Sequence, residues 1–241
     1  MMLSVCMATY NGERHIAEQL ASIMPQLDGS DELVISDDSS TDGTVAIIEG
    51  LRDPRIRFFP GNSFHNPIYN IERALKQSKG DVIVLSDQDD VWLDNKLDAV
   101  RRWFSHKGPG VNTLVLDAGV IDGRGLLLAD SIFDGLRSGA GIVKNLYRNT
   151  YMGCCMAFSR ELLRVALPFP RRIPMHDSWL GLLSEMFGRV EFLPEKTIRY
   201  RRHQANRSFM RFTVRQQITW RFLLAYHLAR RAAGNRALFG K

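Results

Sequence analysis

The sequence lacks the features of several common classes of protein. It has only three cysteines in 241 residues, Cys6, Cys154 and Cys155, which argues against a disulfide scaffold and favours a reducing compartment. No uncharged apolar run approaches the roughly 20 residues that a spanning helix needs. The first residues lack the basic and apolar regions of a signal peptide. We therefore expect a soluble or peripheral protein of the cytoplasm.

Two glycine-rich phosphate-binding motifs are also absent. No G-x-G-x-x-G follows the first predicted strand, and no G-x-x-x-x-G-K-[ST] occurs in the chain. Their absence counts against a dinucleotide oxidoreductase and against a P-loop NTPase. The 45% hydrophobic content is enough for one substantial core.

Acidic residues are missing from the C-terminal segment. Residues 199–241 contain eleven Lys and Arg and no Asp or Glu, which leaves 21 basic and 26 acidic residues before them. The formal charge is therefore about −5 in the body and +11 in this segment. Such a distribution indicates an acidic partner or surface for the segment rather than a particular fold.

What is present is an alternation of short β-branched runs with helical patterns. Strands are predicted at 3–8, 32–36, 55–59 and 81–85, and helices at 13–27, 45–51 and 68–77. This order predicts right-handed βαβ units and a mostly parallel sheet flanked by helices. Further along we predict a helix at 95–104, a strand at 113–121 and a loop at 130–144 that orders on ligand binding. A strand at 152–158 is followed by a helix that starts at Ser159 as N-cap. After an extended run through the prolines we predict a helix at 180–187 and a strand at 190–193.

Polar clusters follow three of the predicted strands. They are Thr9, Tyr10 and Asn11 after the first strand, Asp37 and Asp38 after the second, and Asp87, Asp89 and Asp90 after the strand at 81–85. In open α/β sheets ligands bind at the C-terminal ends of the strands. We therefore expect the three clusters to form one site.

The third cluster has the composition of a metal site. Three carboxylates within four residues repel one another unless a cation lies among them. Oxygen ligands favour a hard ion such as Mg²⁺ or Mn²⁺, and such an ion commonly shares its free positions with substrate phosphates. The alternative is a solvated acidic turn, which is the commoner explanation of an isolated D-x-D.

Five motifs in order resemble one enzyme family. They are residues 8–12 (ATYNG), 37–44 (DDSSTDGT), 86–92 (SDQDDVW), 176–179 (HDSW) and 200–203 (YRRH). Together they resemble the family-2 glycosyltransferases of the GT-A fold, and more closely the rhamnosyltransferase-type members that build O-antigen and other bacterial surface polysaccharides. The resemblance implies a GT-A domain over residues 1–204 and a basic, aromatic-rich helical tail over 205–241.

The resemblance assigns ligand-binding roles to most of these residues. It implies a donor and acceptor site formed by Thr9, Tyr10, Asn11, Asp37, Asp38, Asp87, Gln88, Gly153, Cys154, His176 and Trp179. It implies metal ligation by Asp87, Asp89, Asp90 and His203. A carboxylate suits a pyrimidine imide and ribose hydroxyls, which are hydrogen-bond donors. The alternatives are a capped turn for Asp37 and Asp38, close packing for Gly153 and Cys154, and a solvated side chain for His203.

Asp177 matches the catalytic base of the family. In an inverting transfer this carboxylate takes the proton of the acceptor hydroxyl while the nucleoside diphosphate leaves from the opposite side. A helix N-cap is a compatible second role for Asp177, and Trp179 is expected to pack against the acceptor sugar or the wall of the site. Many members carry Glu-Asp at this point, whereas this chain has His176-Asp177, as in the rhamnosyltransferase-like group.

The resemblance also implies substrates and a location. The donor is expected to be a nucleoside-diphosphate sugar, with dTDP-rhamnose favoured and other sugars left open, and the acceptor a saccharide on a lipid carrier. The arginines and aromatics of the C-terminal segment suit the anionic inner surface of the cytoplasmic membrane. The same composition would suit nucleic acid, which we do not expect as a partner, and Leu223, Leu224 and Leu228 could instead pack on the body.

Three other functions are considered. A sugar nucleotidyltransferase would need a basic glycine-rich loop after the first strand, where residues 9–12 read TYNG. A nucleic-acid-binding module would leave the acidic clusters unexplained. An inactive carbohydrate-binding relative is disfavoured because Asp89 and Asp177 are both present.

Overall fold

The structure is a computed structural model that describes residues 1–202 and 213–239, with side chains up to residue 235. The strands of this part are β1 (Leu3–Thr9), β2 (Glu32–Asp37), β3 (Ile56–Phe59), β4 (Val82–Ser86), β5 (Val91–Trp92), β6 (Val111–Asp122), β7 (Leu127–Ala129), β8 (Met156–Ser159) and β9 (Gly188–Arg202). The helices are α1 (Ile16–Ile23), α2 (Thr44–Gly50), α3 (Pro67–Gln77), α4 (Lys96–Phe104), α5 (Ile132–Leu136), α6 (Ile142–Tyr147), α7 (Glu161–Ala166), α8 (His176–Phe187) and α9 (Val214–Phe239). Short 3₁₀ turns span Met24–Gln26 and Gly153–Cys155.

The strands form one mixed sheet in the order β3-β2-β1-β4-β8-β6-β9-β5, with β7 paired to β6. The first four strands are parallel, as the sequence predicted. β8 is antiparallel to both β4 and β6, and β9 runs parallel to β6 along its whole length. The predicted α/β class with flanking helices is confirmed, and the antiparallel insertion of β8 makes the sheet mixed.

The central strands are apolar on both faces because helices cover both sides of the sheet. Every residue of β2 and β4 is buried, and all but one residue of β1. Continuous rather than alternating hydrophobic runs are expected for strands covered on both faces. The sheet therefore provides a rigid base from which the loops after β1, β2 and β4 project at one edge.

The predicted loop at 130–144 is wrong in part, because the segment contains α5 and the beginning of α6. Ser131 caps α5 by accepting a hydrogen bond from the backbone N–H of Asp134 at 3.1 Å. Gly141 donates its backbone N–H to Glu185 in α8 at 2.8 Å, which anchors the start of α6. Short helices of five or six residues are marginal alone, so their formation depends on these tertiary contacts.

Ser159 is not the predicted helix N-cap. It is the last residue of β8, and α7 begins two residues later, at Glu161. The Ser159 hydroxyl donates to the carbonyl of Gly110 at 2.8 Å and accepts the N–H of Asn112 at 2.9 Å. Its polar group is thus used to join β8 to the start of β6.

Two elements are longer than the sequence predicted. α8 begins at His176 rather than at residue 180, so Asp177 lies in its first turn and Met175 is the N-cap residue. The strand predicted at 190–193 is the 15-residue β9. Its second half pairs with β5, through Val91 opposite Arg199, and this returns the chain to the acidic loop.

The C-terminal helix α9 packs on the body of the protein. Leu224 and Leu228 are buried in the main core, and the Arg231 guanidinium donates to the carbonyls of Leu167 at 3.0 Å and Pro168 at 2.6 Å. Packing of two of the three leucines considered above is therefore observed. The predicted boundary between residues 204 and 205 lies outside the described residues, as do Arg207, Phe209, Arg211 and Phe212.

Candidate active site

The loops after β1 and β4 are joined by a reciprocal pair of hydrogen bonds. The Gln88 side chain accepts the N–H of Tyr10 at 2.9 Å and donates to the carbonyl of Tyr10 at 3.0 Å. A Cβ at Gly12 would lie 2.4 Å from the Gln88 side-chain oxygen, so only glycine allows this approach. The Tyr10 ring itself is exposed and is available to a ligand.

Asp37 organises the loop that follows β2. Its carboxylate accepts the Thr9 hydroxyl at 2.8 Å and the backbone N–H of Ser40 at 2.8 Å. Asn11 has a left-handed φ of 46°, and its side-chain oxygen accepts the N–H of Thr41 at 2.8 Å. These five residues hold the ends of β1 and β2 together.

Asp38 fixes a third segment, the one between β3 and α3. Its two carboxylate oxygens accept the backbone N–H groups of Phe64 at 2.6 Å and Asn66 at 3.0 Å. Asp38 is almost fully buried, so much of its hydrogen-bonding capacity serves the loop. The capped-turn alternative is thus partly realised for Asp37 and Asp38, and a contact with a nucleotide stays a prediction.

The acidic loop after β4 is arranged differently. One ligand atom each from Asp87, Asp90 and Cys154 lie within 4.8 Å of one another. One Asp90 oxygen accepts the N–H of Arg201 at 2.9 Å, while its other oxygen is buried with no hydrogen-bond partner among the described residues. Asp87 is partly accessible, and Asp90 and Cys154 lie buried beneath it.

The charges of this loop are crowded. Burial, together with the charges of Asp89 and Asp177, raises the pKa of Asp87 to about 7. Burial and the neighbouring Asp87 and Asp89 also raise the pKa of Asp90 well above its usual range. Removal of carboxylates from water favours their neutral form, and like charges add to that effect. A cation at this position would relieve both.

Asp177 is connected to the acidic loop through its neighbour His176, which packs against Gly153, the residue before Cys154. Asp177 occupies the first turn of α8, and its carboxylate accepts the N–H of Ser178 at 2.5 Å and the Asn149 amide at 3.3 Å. Burial raises the pKa of Asp177 to about 7. The charge of Asp177 is a smaller cause of the raised pKa of Asp87, after burial and the charge of Asp89.

His176 and the turn at 153–155 lie beside Asp177. A Cβ at Gly153 would lie 2.8 Å from the imidazole Nε2 of His176, so the two are in close contact. Burial lowers the pKa of His176 to about 4, which keeps the ring neutral. Close packing accounts for Gly153, whereas Cys154 reaches the acidic loop directly.

Trp179 was predicted to pack against the acceptor sugar or the wall of the site, and the structure places its side chain in the core. The indole is fully buried, and its N–H donates to the carbonyl of Ala166 at 3.1 Å. Because α8 begins three residues before Trp179, its side chain is turned into the core rather than towards the cleft. Trp179 therefore supports the helix that carries Asp177.

The part of the chain that matches a known family is residues 4–166. The sequence model described as "Glycosyl transferase family 2" matches residues 4–166, which run from β1 to the end of α7. The chain belongs to this family. Asp177 lies beyond the matched part, so its position beside the acidic loop is information from the structure rather than from the family match.

Relatives of this glycosyltransferase come from several bacteria. It is 42% identical over 98 residues to the dTDP-rhamnosyl transferase RfbG of Shigella flexneri, which covers 38% of this chain and 34% of that protein. It is 31% identical over 97 residues to the UDP-Glc:alpha-D-GlcNAc-diphosphoundecaprenol beta-1,3-glucosyltransferase WfgD of Escherichia coli, covering 40% and 38%. The chain spans 34%, 66% and 38% of the length of three of the curated relatives it matches, RfbG, a Nostoc glycosyltransferase and WfgD.

Solved structures establish the GT-A fold. The glycosyltransferase superposes on S. aureus TarS in complex with UDP-GlcNAc with a TM-score of 0.74, at 19% identity, over 100% of this chain and 76% of that one. The mannosyltransferase PcManGT from Pyrobaculum calidifontis, in complex with GDP-Man and Mn²⁺, gives a TM-score of 0.61 at 18% identity, covering 98% and 75%. At these identities the likeness concerns the fold alone.

The residues present fit a divalent cation. Their donor set is mostly carboxylate oxygen, and the buried Asp90 oxygen without a partner is the sort of atom that an ion would satisfy. The predicted ligand His203 lies outside the described residues.

Sequence reasoning missed three residues of the site. Lys96 is buried next to Cys154, Asn149 contacts Asp177, and Arg201 donates its backbone N–H to Asp90. Of these three residues, only Lys96 could have been identified from the sequence, because a lysine at the first position of a helix opposes the helix dipole. The other two are recruited from distant parts of the chain.

Proposed function

We propose that this protein is an inverting, metal-dependent glycosyltransferase with Asp177 as its catalytic base. The observation that supports the proposal best is the position of the Asp177 carboxyl in the first turn of α8, next to His176, which packs against the turn that presents Cys154 to Asp87. A general base is most effective when its pKa lies near the working pH. The pKa of Asp177, about 7, satisfies that condition.

The chemistry requires one bond to form while another breaks. The acceptor hydroxyl oxygen bonds to the anomeric carbon of the donor as the bond from that carbon to the diphosphate oxygen breaks. Asp177 receives the hydroxyl proton, and Asn149 and the N–H of Ser178 orient its carboxylate. A divalent ion held by Asp87 and Asp90, with Asp89 as a further predicted ligand, would supply positive charge for the departing diphosphate.

For the donor we propose a nucleoside-diphosphate sugar, with dTDP-rhamnose as first candidate. The match to a dTDP-rhamnosyl transferase supports this sugar, although it covers 38% of the chain. The loops that hold Asp37, Asp38 and the exposed Tyr10 ring provide acceptors and a stacking surface for a base and ribose. For the acceptor we propose a saccharide on a lipid carrier in the synthesis of a bacterial surface polysaccharide, which the match to WfgD supports.

A nucleotide-sugar panel tests the proposal. Wild-type protein and D177N are screened with Mn²⁺ or Mg²⁺ against dTDP-, UDP- and GDP-sugars, first by thermal shift and then by turnover. We expect one donor to stabilise both proteins and only the wild type to turn it over. Stabilisation by dTDP-rhamnose above the others supports the rhamnosyl assignment. Equal turnover by D177N would contradict the role of Asp177.

The proposal includes attachment of the C-terminal segment to the inner surface of the cytoplasmic membrane. Four apolar residues recur every four positions on α9 and are exposed, namely Val214, Ile218, Phe222 and Tyr226. The buried Leu224 lies two residues, about 200° of helix rotation, from Phe222. α9 therefore has one apolar face on the body and a second that faces outward. No described helix has the length and apolarity of a membrane span.

The chemistry of the outward face favours an anionic lipid surface. Aromatic side chains with neighbouring arginines are typical of interfacial helices, and each basic residue near such a surface contributes about 1 kcal/mol. Arg215 and Arg230 are exposed on α9, and residues 199–241 contain no acidic residue that would oppose binding.

Flotation of F222D with vesicles tests the attachment without removing the buried leucines of α9. We expect wild-type protein to float with vesicles that contain anionic phosphatidylglycerol and F222D to stay in solution. The matched control is L51D, which places the same charge on an exposed leucine at the end of α2. Flotation of F222D equal to that of wild type would contradict attachment through this face.

A further inference from the structure

Lys96 is a fully buried lysine at the first residue of α4. Its ammonium group donates to the carbonyl of Cys154 at 2.6 Å and lies 4.0 Å from the centre of the Trp92 ring. These two contacts join α4 to the 3₁₀ turn at Gly153–Cys155 and to the end of the acidic loop. No other described lysine is among the largest fully buried side chains.

The position of Lys96 is unfavourable on local grounds. A positive charge in the first turn of a helix opposes the helix dipole, and removing an ammonium from water costs free energy unless it is compensated. Burial lowers the pKa of Lys96 to about 8, and Cys154 and Cys155, followed by Asp90 and Asp87, act against this shift. The geometry gives the same neighbours, because the Cys154 thiol lies within 4.8 Å of carboxylate oxygens of Asp87 and Asp90. The helix dipole and burial both disfavour an ammonium at this position. We therefore infer that the carboxylates of the acidic loop compensate its charge.

Lys96 contacts the turn at 153–155, which in turn contacts both the acidic loop and the start of α8. Cys154, whose carbonyl it holds, presents its thiol to Asp87 and Asp90. The preceding residue, Gly153, touches His176, which is next to Asp177 in α8. A displacement of the turn at 153–155 would therefore change the acidic loop and the base together.

We propose that Lys96 is a positioning residue of the donor site, a resident cation that offsets the acidic loop and fixes the turn at 153–155 against it. The inference rests on the proposed function for the kind of ligand bound, a nucleoside diphosphate with a divalent ion. Lys96 touches neither ligand and acts through Cys154 and the carboxylates of Asp87 and Asp90. Its ammonium makes the site less repulsive to a diphosphate and less attractive to a divalent ion.

Opposite changes in two binding constants test the proposal. Near neutral pH, K96M should bind Mn²⁺ more tightly, because a positive charge has been removed beside its ligands. The same variant should bind dTDP and UDP more weakly in the absence of metal, because the diphosphate then meets uncompensated carboxylates. Each Kd should change by about threefold or more, since the interaction between two unit charges within one site is of this order even in water. Free Mn²⁺ is measured by electron paramagnetic resonance and the nucleotides by calorimetry.

Three further variants make the result specific. K96Q removes the charge with a polar side chain and should reproduce both changes even if K96M folds poorly. K96R keeps the charge and should return both Kd values towards those of wild type. K76M removes an exposed lysine that pairs with Glu72 at 2.7 Å, and should change neither.

The two directions decide the outcome. A purely structural role would weaken Mn²⁺ and nucleotide binding together, and either that result or unchanged values in both K96M and K96Q would overturn the proposal. Because both measurements are of binding, they remain informative if no sugar transfer is found. Failure of the proposed function and failure of the role of Lys96 are therefore distinguishable.

Discussion

Two acidic regions border the same edge of the sheet, but they use their carboxylates in opposite ways. In the loops after β1 and β2, Asp37 and Asp38 are buried, and all four of their oxygens accept hydrogen bonds. In the loop after β4, one Asp90 oxygen has no partner among the described residues, and the pKa of Asp87 is raised to about 7. The carboxylate oxygens of Asp37 and Asp38 are all satisfied by the protein, whereas one oxygen of Asp90 is not satisfied within the described part of the chain.

This difference indicates that the two acidic regions have different roles in the site. Hydrogen bonds to a carboxylate favour its charged form and stabilise the fold, whereas burial of poorly compensated charge costs stability. The first region therefore serves as a rigid frame, with the exposed Tyr10 ring on it. The second keeps charge available for an ion, a diphosphate and a proton, which is where we propose that the chemistry takes place.

The largest effect should come from D177N, which removes the proposed base. We expect kcat to fall by about 10³-fold, within the range for general base catalysis. For the wild type, kcat should fall as the pH drops below about 7, where Asp177 becomes protonated. Steady-state kinetics over pH with the best donor of the panel are the measurement. A D177N enzyme with more than a tenth of wild-type kcat would be evidence against a base at this position.

The same variant should also become more stable. The pKa of Asp177 is higher in the folded protein than in the unfolded chain, so ionisation destabilises the fold as the pH rises from about 4 to about 7. D177N removes this cost, and its Tm at alkaline pH should exceed that of the wild type by about 3 °C or more. Equal Tm values would show that Asp177 is compensated like Asp37, and the comparison of the two regions would fail.

A smaller effect, about 10²-fold on kcat/KM at limiting Mn²⁺, is expected for D89N, since it removes a predicted metal ligand. Excess Mn²⁺ should restore part of the loss. Treatment of the wild type with EDTA should likewise abolish turnover, and added Mn²⁺ should recover it. The control is D98N, an exposed aspartate of α4 that should behave as wild type. If D89N keeps the wild-type dependence on Mn²⁺, the D-x-D assignment is wrong.

D38N should act on stability, in contrast to D177N. An amide at this position can accept only one of the two backbone N–H groups, from Phe64 or Asn66, and leaves the other unpaired. The expected loss is about 1–3 kcal/mol in the free energy of unfolding. Urea denaturation measures it, with D98N expected to stay within about 0.5 kcal/mol of wild type. An unchanged D38N would mean that the first region is not a frame.

The smallest effect is expected for N149A. The Asn149 amide donates to Asp177 and favours its charged form, so its removal should raise the pKa of Asp177 further. The acid limb of the kcat profile should then move to higher pH by roughly half a unit, with little change in kcat at alkaline pH. A uniform loss of kcat at every pH would indicate displacement of the base instead.

Local sequence patterns predicted the first half of the fold well. The continuous apolar runs of β1, β2 and β4 and the helical spacing between them are short-range signals, and all of these elements are present within a few residues of the predicted bounds. The order of motifs indicated the family, which the match over residues 4–166 confirms. Later elements were predicted less well because they depend on partners far along the chain.

α9 is a clear example of such a failure. Its apolar residues do not gather on one side in the sequence, which made an amphipathic helix a poor description. The structure resolves this, since Leu224 and Leu228 pack on the body while Phe222 and Tyr226 face outward. Periodicity detects one apolar face, and a helix with two such faces has little net asymmetry.

By itself, the sequence determined the strands, the family and the carboxylates of the site, because backbone preference and motif order are written in neighbouring residues. Tertiary structure alone decided that Lys96 lies behind the acidic loop, that Asn149 holds Asp177, and that Trp179 belongs to the core. Those contacts join residues 13 to 58 positions apart. Whether a charge is compensated depends on such contacts. The burial and the distances that determine this compensation exist only in the folded chain.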